Sequence, residues 1–275
     1  MTYSNKLVSI ILPTKNSGKT IKKAIKGIKS QTYSDIECIN IDNFSEDNTV
    51  DLLRDTAITY QKGPERSVQK NYGASLAKGE YLLFLDSDAE MEADVVKESV
   101  NLAEEKDLDC IIIPEIQVGY GFWSKVKALE REFYIGDDDI EAPWFFRKSS
   151  FDKVKGYNPE LYAGEDWDLF ERMKSIGCRW DRIDSKIHHH IGKVYFWGLS
   201  KKKFYYGKNF HHFIKNNPSM ATLRRIPFLR KAFIKKIHLI IRHPVLFLCI
   251  FIMKGMESSF FLAGFLLSKF SAKRP

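Results

Sequence analysis

Residues 81–91 read YLLFLDSDAEM, a short apolar run followed at once by two aspartates that are one residue apart. A run that is hydrophobic throughout is typical of a strand buried on both faces of a parallel sheet. Asp86 and Asp88 then lie at the strand's end, where they can face one hard cation such as Mg²⁺ or Mn²⁺ that in turn holds a diphosphate. The same residues also fit a simple turn and cap before a helix that begins near Asp94.

The rest of the first third alternates short apolar runs with helical patterns, which predicts right-handed βαβ units and therefore an α/β fold. We expect a mostly parallel central sheet flanked by helices, with ligands at the carboxyl ends of its strands. The predicted strands are Leu7–Pro13, Ile36–Ile41, Ala57–Tyr60, Tyr81–Leu85 and Cys110–Pro114, and the predicted helices are Thr20–Ser30, Glu46–Asp55, Arg66–Ala77 and Asp94–Glu105.

Polar residues follow three of these predicted strands. Pro13-Thr14-Lys15-Asn16 ends the first strand, Asp42-Asn43 the second and Asp86-Ser87-Asp88 the fourth. Because the carboxyl ends of parallel strands meet at one edge of a sheet, these clusters predict a single ligand site there. Further along, helices are expected at Asp166–Ile176 and Ser200–Asn216.

Four motifs, IILPTKN, NIDNFSEDNT, ERSVQKNYGASLAKGEYLLFLDSD and AGEDWDLFERM, occur in the order found in family 2 glycosyltransferases of the GT-A fold. The chain resembles that family over about residues 7–215. The resemblance implies a GT-A catalytic domain at 1–217, with a nucleotide-binding half at 1–114 and an acceptor half at 115–217. We expect basic amphipathic helices, able to associate with a membrane, at 218–275.

The resemblance also implies roles for individual residues in binding the nucleotide-sugar donor. Asp42 is expected to accept hydrogen bonds from the base, Arg66 and Lys70 to lie near the base or ribose, and Asp86 on the ribose side. Asp42 as a helix cap, and Arg66 and Lys70 as solvated helix residues, are the alternatives. The implied donor-binding residues are Pro13, Thr14, Asn16, Asp42, Arg66, Lys70, Asp86, Ser87 and Asp88.

Asp166, in the sequence Gly-Glu-Asp-Trp-Asp, matches the position of the family's catalytic base. An inverting transfer needs one group that takes the proton of the acceptor hydroxyl as its oxygen attacks the anomeric carbon. A retaining double displacement would need a nucleophile as well. Glu165 and Asp168 are more simply explained as acids near a helix N-terminus.

A divalent metal cofactor, Mn²⁺ or Mg²⁺, is implied by the same resemblance. Asp88 would bind it, and a histidine after the last core strand would complete the site. Three adjacent candidates are available, His188, His189 and His190, of which we favour His189 by counting from the predicted strand at 186–188. A surface histidine run that binds a metal only weakly is the alternative.

Charge is concentrated at the C-terminal end of a chain whose net charge is +8. Residues 219–275 contain eleven Lys and Arg residues against the single acid Glu257, which points to an anionic surface as partner. Ile226–Ile241 has the pattern of an in-plane amphipathic helix. Packing of its apolar face on the catalytic domain or in a dimer, and a hydrophobic hairpin that dips into the bilayer, are the alternatives. The sequence contains no stretch of about 18 uninterrupted apolar residues, so it does not predict a transmembrane helix.

These observations predict a peripheral enzyme on the cytoplasmic face of the cell membrane, since the first residues lack the pattern of a signal peptide and the four cysteines form no CxxC pair. We expect an inverting, metal-dependent transferase that moves a single sugar from GDP-mannose or a UDP-sugar to a lipid-linked or glycan acceptor. No nucleic-acid partner is expected, because the cations are interleaved with bulky aliphatic residues. A catalytically silent nucleotide-binding membrane scaffold and a nucleotidyltransferase are the competing functions.

Overall fold

A computed structural model describes residues 6–161, 164–216 and 231–271 of the chain, without the side chains of 209–216, 231–232 and 269–271. The predicted helix at 226–241 therefore lies partly outside the described residues, as do Arg224, Arg225 and Arg230.

The central sheet has seven strands in the order β3-β2-β1-β4-β8-β6-β9. The pairs β1–β2, β1–β4, β2–β3 and β6–β9 are parallel, while β8 runs antiparallel to β4 and β6. This confirms the α/β prediction of a mostly parallel sheet. The strands are β1 (Val8–Thr14), β2 (Ile36–Asp42), β3 (Ile58–Gln61), β4 (Tyr81–Phe84), β6 (Cys110–Ile112), β8 (Phe145–Arg147) and β9 (Trp180–Arg182).

A second, three-stranded sheet has the order β5-β10-β7. Its strands are β5 (Ala89–Met91), β7 (Glu115–Tyr120) and β10 (Ile187–Lys193). β5 follows directly on the acidic turn after β4 and runs antiparallel to β10, with His189 opposite Ala89. This pairing places the histidine run beside the two aspartates.

Helices of the first unit flank the central sheet, as the α/β pattern requires, and further helices belong to the second unit. The bounds are α1 (Ile21–Lys29), α2 (Thr49–Leu53), α3 (Arg66–Leu76), α4 (Val95–Lys106), α5 (Phe122–Tyr134), α6 (Lys148–Lys153), α7 (Glu165–Ser175), α8 (Phe196–Asn216), α9 (Lys231–Lys235), α10 (Ile237–Arg242) and α11 (Pro244–Ser271).

Two apolar clusters form the core, one on each side of the central sheet, because side chains alternate along a buried strand. Along β1, Val8, Ile10 and Leu12 belong to one cluster, which includes residues of α1 and α4. Ile11 belongs to the other, which includes residues of α3 and α7. A Cβ at Gly73 would lie 2.5 Å from the side chain of Ile11, so glycine lets α3 approach β1 closely.

The chain forms two compact units. The first comprises residues 1–116, 142–159 and 165–190, and the second 117–141, 160–164 and 191–275. Within the second unit, α5 and α8 pack with α11. A third apolar cluster, which includes Val126, Phe133 and Met253, joins these helices within the second unit.

The C-terminal helices differ from the sequence expectation in two ways. The chain bends at Lys236, whose ammonium donates to the carbonyls of Glu132 (2.6 Å) and Ile135 (2.7 Å) and so satisfies the C-terminal end of α5. α11 is one uninterrupted helix, and its residues 244–268 are long and apolar enough, by length and composition, to cross a membrane. The charges of Lys254 and Glu257 do not end it, because charged side chains leave the backbone hydrogen bonds of a helix intact.

Candidate active site

The end of β2 is stabilised by hydrogen bonds to the side chain of Asp42. Asp42 is fully buried, and its carboxylate accepts hydrogen bonds from the Ser45 amide (2.8 Å) and hydroxyl (2.6 Å). The Thr14 hydroxyl lies 2.8 Å from the same carboxylate. Both carboxylate oxygens thus help to shape the loop after β2, and the role of Asp42 towards the base stays a prediction.

The loops after β1 and β4 are joined by polar contacts. The Asn16 amide donates to Ser45 Oγ (2.8 Å), and its side-chain oxygen accepts from the Glu46 amide (2.9 Å). Ser87 Oγ lies 2.9 Å from Ser17 Oγ, which ties the acidic turn to the loop that follows Pro13 and Thr14. The three predicted polar clusters therefore meet at one edge of the sheet.

α3 carries two cations to this edge. Gln69 fixes the start of the helix by donating to the carbonyls of Thr14 (3.0 Å) and Ile41 (2.6 Å), the ends of β1 and β2. Arg66 Nη1 lies 3.8 Å from Asp86 Oδ2, and more than half of its side chain is exposed. Lys70, one turn later, is buried.

Lys70 forms an ion pair with Asp166, the predicted base, at the start of α7. Its ammonium lies 3.0 Å from Asp166 Oδ1 and 4.5 Å from the centre of the Tyr157 ring. Burial opposes the charge of Lys70, but the carboxylates of Asp166, Asp86 and Glu165 outweigh burial and raise its pKa. The Asp166 side chain is 46% exposed, so a substrate can reach it while the cation that holds it stays inside.

The other acids around Asp166 have different environments. Asp168 is buried and pairs with Arg172 at 2.7 Å, and Arg172 also donates to the Gly156 carbonyl (2.7 Å). Asp168 therefore stabilises the fold, as its place in the first turn of a helix suggested. Burial, together with the charge of Asp166, raises the pKa of Glu165.

Tyr157 was not predicted from the sequence, although it completes the surroundings of Asp166. Burial first, and then the charge of Asp166 and a hydrogen bond to it, raise the Tyr157 pKa well above its ordinary value. Asn71 of α3 holds the tyrosine by exchanging hydrogen bonds with its backbone (2.7 and 2.9 Å). A single aromatic residue in an irregular segment carries no periodic signal, so only the fold reveals its position.

A group of possible metal ligands lies where β4, β5 and β10 come together. Ligand atoms of Asp86, Asp88 and His189 all lie within 4.8 Å of one another, and His189 Nε2 is 3.1 Å from Asp88 Oδ1. Asp86, expected on the ribose side, belongs to this group. Two carboxylates and one imidazole are a donor set that suits Mn²⁺ or Mg²⁺, so the residues fit the expected cofactor.

The alternation of side chains along β10 separates the three histidines. His188 and His190 contact Glu92 and Glu90, each at 2.9 Å, whereas His189 lies on the opposite face of the strand and meets Asp88. Of the three imidazole rings, the structure thus brings only that of the favoured histidine to the two aspartate carboxylates.

Glu115, at the start of β7, lies behind His189 and was missing from the sequence prediction. Its Oε1 is 3.3 Å from His189 Nδ1, the arrangement in which a carboxylate orients a metal-binding imidazole. Burial disfavours the charged imidazolium, but hydrogen bonds to Asp88 and Glu115 and their charges outweigh it and raise the His189 pKa to about 10. Cation binding through Nε2 requires loss of that proton.

A sequence model of glycosyl transferase family 2 matches residues 9–158, more than half of the chain. The chain belongs to glycosyl transferase family 2. A second model, described as the N-terminal domain of galactosyltransferase, matches residues 144–195, the segment that supplies Asp166 and His189. This membership confirms the family that the four motifs implied.

Curated relatives of this family 2 transferase act on different acceptors, to judge by their names. It is 30% identical over 180 residues to the GalNAc(5)-diNAcBac-PP-undecaprenol beta-1,3-glucosyltransferase of Campylobacter jejuni, covering 58% of this chain and 57% of that protein. It is 34% identical over 174 residues to the poly(ribitol-phosphate) beta-N-acetylglucosaminyltransferase TarP of Staphylococcus aureus, covering 54% and 51%. The transferase spans less than two thirds of the length of these relatives.

Solved structures share the fold of this transferase at low sequence identity. The mannosyltransferase PcManGT from Pyrobaculum calidifontis, solved with GDP-Man and Mn²⁺, superposes with a TM-score of 0.66 at 16% identity, covering 98% of this chain and 88% of that one. S. aureus TarS in complex with UDP gives a TM-score of 0.54 at 16% identity, covering 81% and 74%. These matches confirm the GT-A fold.

Proposed function

We propose that this transferase moves one sugar, with inversion, from GDP-mannose or a UDP-sugar to a lipid-linked acceptor at the cytoplasmic face of the cell membrane. The observation that carries the proposal is the convergence of two groups in the first unit. One is the set of Asp86, Asp88 and His189, and the other is the Lys70–Asp166 pair. The charges of both Asp166 and Asp86 raise the pKa of Lys70, so one buried cation is within electrostatic reach of both groups.

Asp166 has the exposure and the charged partner that a general base needs. In the proposed step, a bond forms between the acceptor oxygen and the anomeric carbon as the bond from that carbon to the diphosphate breaks. The hydroxyl proton passes to the Asp166 carboxylate, and the nucleoside diphosphate leaves with the bonding electrons. Lys70 holds the carboxylate in place, and Tyr157 packs beneath the ammonium.

Asp86, Asp88 and His189 are the residues that would hold Mn²⁺ or Mg²⁺, with Glu115 orienting the histidine. When bound, the cation supplies positive charge against the diphosphate. Arg66, which is largely exposed and 3.8 Å from Asp86, adds a protein cation on the same side.

The donor and acceptor classes draw on the relatives. PcManGT was solved with GDP-Man and TarS with UDP, so both donor classes are represented among proteins of this fold. The Campylobacter relative is named for an undecaprenol diphosphate acceptor, and TarP for a polymer. A lipid-linked acceptor fits a chain whose C-terminal part is basic and apolar.

The test is a thermal-shift screen against UDP, GDP, CMP, dTDP and their sugars, each with Mn²⁺ and with EDTA, followed by a transfer assay with polyprenyl diphosphate sugars. A ligand at a hundred times its Kd stabilises the folded state by about 2.7 kcal/mol, a readily measured shift. Asp88→Ala should lose the metal-dependent shift. Asp166→Asn should keep that shift and lose roughly 10²- to 10⁴-fold in transfer rate.

The controls separate the competing functions. Asp139→Asn, at an exposed acid outside the site, should leave both the shift and the transfer unchanged. Nucleotide binding without transfer from any nucleotide sugar would favour the silent scaffold. An absence of any nucleotide shift, with or without metal, would contradict the proposed donor site.

A further inference from the structure

The C-terminal helices α10 and α11 of the second unit expose a row of apolar side chains and no acidic one. From Ile191 to Pro275 the sequence contains only one acid, Glu257. On α10 and α11, apolar side chains spaced mostly three or four residues apart are more than half exposed. We call Ile237, Ile241, Val245, Leu248, Ile252 and Leu262 the apolar stripe. Exposed apolar surface of this extent marks an interaction site.

The two charges that interrupt the apolar sequence of α11 point away from this stripe. Lys254 and Glu257 are buried, with Lys254 Nζ 2.8 Å from Glu257 Oε2 and 2.5 Å from Glu130 Oε1 of α5. Lys127 of α5 lies 2.8 Å from Glu130, and Lys203 of α8 lies 3.7 Å from Glu257. Because these buried charges are paired, they can be kept inside, and the outer face of α11 stays apolar.

α8 and α11 pack too closely for α11 to enter a bilayer alone. A Cβ at Gly207 would lie 2.0 Å from the Phe261 carbonyl oxygen, and one at Gly264 would lie 2.2 Å from that of Phe204, so backbones touch at two places. Along the same stretch α8 exposes Lys201, Lys202 and Lys208. A transmembrane α11 would carry the ammonium group of Lys208, next to the contact at Gly207, into hydrocarbon, where ionised side chains are costly.

We propose that α10 and α11 lie in the plane of a membrane surface that contains anionic lipid, with the apolar stripe at the boundary of headgroups and acyl chains. Exposed Lys235 and Arg242 on α9 and α10, and the exposed lysines of α8, provide the charge that complements lipid phosphates. This inference deepens the membrane localisation proposed above, giving it a surface and an orientation. It does not depend on the donor, the acceptor or catalysis.

The test is flotation of the full chain with vesicles of phosphatidylcholine alone and of equal parts phosphatidylcholine and phosphatidylglycerol. We expect binding to the anionic vesicles that weakens with salt. The double variant Leu248→Glu/Ile252→Glu should bind at least about tenfold more weakly, because it places two charges in the stripe. Ile176→Glu, at an equally exposed apolar residue of the first unit, should bind like the wild type.

Two further arms complete the test. Lys201→Glu/Lys202→Glu should reduce the preference for anionic vesicles, and all variants should keep the wild-type circular dichroism because the changed residues are exposed.

Alkaline carbonate should release the bound chain, since an in-plane helix is peripheral. Failure to bind anionic vesicles, or binding that resists carbonate, would overturn the proposal. So would a lipid-free dimer that the stripe variant abolishes, since it would assign the stripe to a second copy. Each of these results leaves the transfer assay free to succeed or fail separately.

Discussion

At the scale of single residues, the aspartates in and around the candidate site differ in their exposure and in the groups that they contact. Asp166 is half exposed and held by the buried ammonium of Lys70 at 3.0 Å, whereas Asp168, two residues later, is buried against Arg172. Asp42 accepts hydrogen bonds from Ser45 inside the protein. Of these three carboxylates, only Asp166 is both partly exposed and paired with a buried cation.

Lys70 offers the sharpest residue-level prediction. Replacing it by Met removes the cation that holds the Asp166 carboxylate in place, so kcat at saturating donor should fall roughly tenfold to a hundredfold. Lys70→Arg keeps the charge and should recover part of kcat. Steady-state kinetics of the three proteins test this, and a loss of thermal stability with kcat unchanged in Lys70→Met would assign Lys70 a purely structural role.

At the scale of elements, the pairing of β5 with β10 sets the register on which the metal-ligand group depends. A slip of one residue would turn His189 away from Asp88 and bring a neighbouring histidine to it. The same strand therefore supplies its own matched controls. The three histidines share sequence context and secondary structure, and differ in the face of the strand on which they lie.

His189→Gln should weaken Mn²⁺ binding at least about tenfold, since changes that only misorient a ligand already cost 10- to 100-fold. His188→Gln and His190→Gln should bind Mn²⁺ like the wild type, because their partners are Glu92 and Glu90. Titration calorimetry with Mn²⁺ alone measures this without a turnover assay. Equal loss in all three variants would contradict the assignment of His189.

α5 and α11 meet through Glu130, which contacts the ammonium groups of Lys127 and Lys254. Burial opposes its ionisation, but the two lysines outweigh it and hold the pKa of Glu130 far below the ordinary 4.5. A lowered folded-state pKa contributes stability that is complete above pH 4.5 and is lost as the pH falls through the folded value.

Glu130→Gln should therefore cost about 3 kcal/mol at pH 7, because two lysines lose their buried partner. The difference in the free energy of unfolding between wild type and variant, measured in denaturant melts, should narrow below pH 4.5, the ordinary pKa of Glu. The double variant Glu130→Gln/Lys254→Met should recover part of the loss, because it removes one of the three lysines that would otherwise share the single carboxylate of Glu257. A gap that widens in acid would contradict the sign of this argument.

The sequence predicted those elements whose pattern of apolar residues is local, and it did not predict residues that reach the site through long-range packing. Strands such as β1 and β4, and helices such as α3 and α4, carry continuous apolar runs or regular periodicity, and the structure places them where they were predicted. Glu115 and Tyr157 belong to the site through long-range packing, which no periodicity encodes. The apolar sequence of α11 is interrupted by Lys254 and Glu257, and only the structure shows that ion pairs with α5 keep these two charges inside.

At the scale of the whole molecule, the candidate site and the apolar stripe belong to different units. Asp86, Asp88, Lys70, Asp166 and His189 all belong to the first unit, while the buried charges around Glu130 and the apolar stripe belong to the second. A ligand or substitution that affects one of these groups should therefore change hydrogen exchange mainly in the unit that contains the group.

Hydrogen exchange measured by mass spectrometry tests this division. Nucleotide with Mn²⁺ should protect amides of the first unit at the ends of β1, β4 and β10, because a ligand that binds the folded state suppresses local opening. Glu130→Gln should leave that protection in place and speed exchange in α5 and α11, where ion pairs have been lost. Asp88→Ala should do the reverse, abolishing the nucleotide effect while leaving α5 and α11 unchanged. Nucleotide protection centred on α8 and α11 instead of the strand ends would contradict the donor site, since none of its residues lies there.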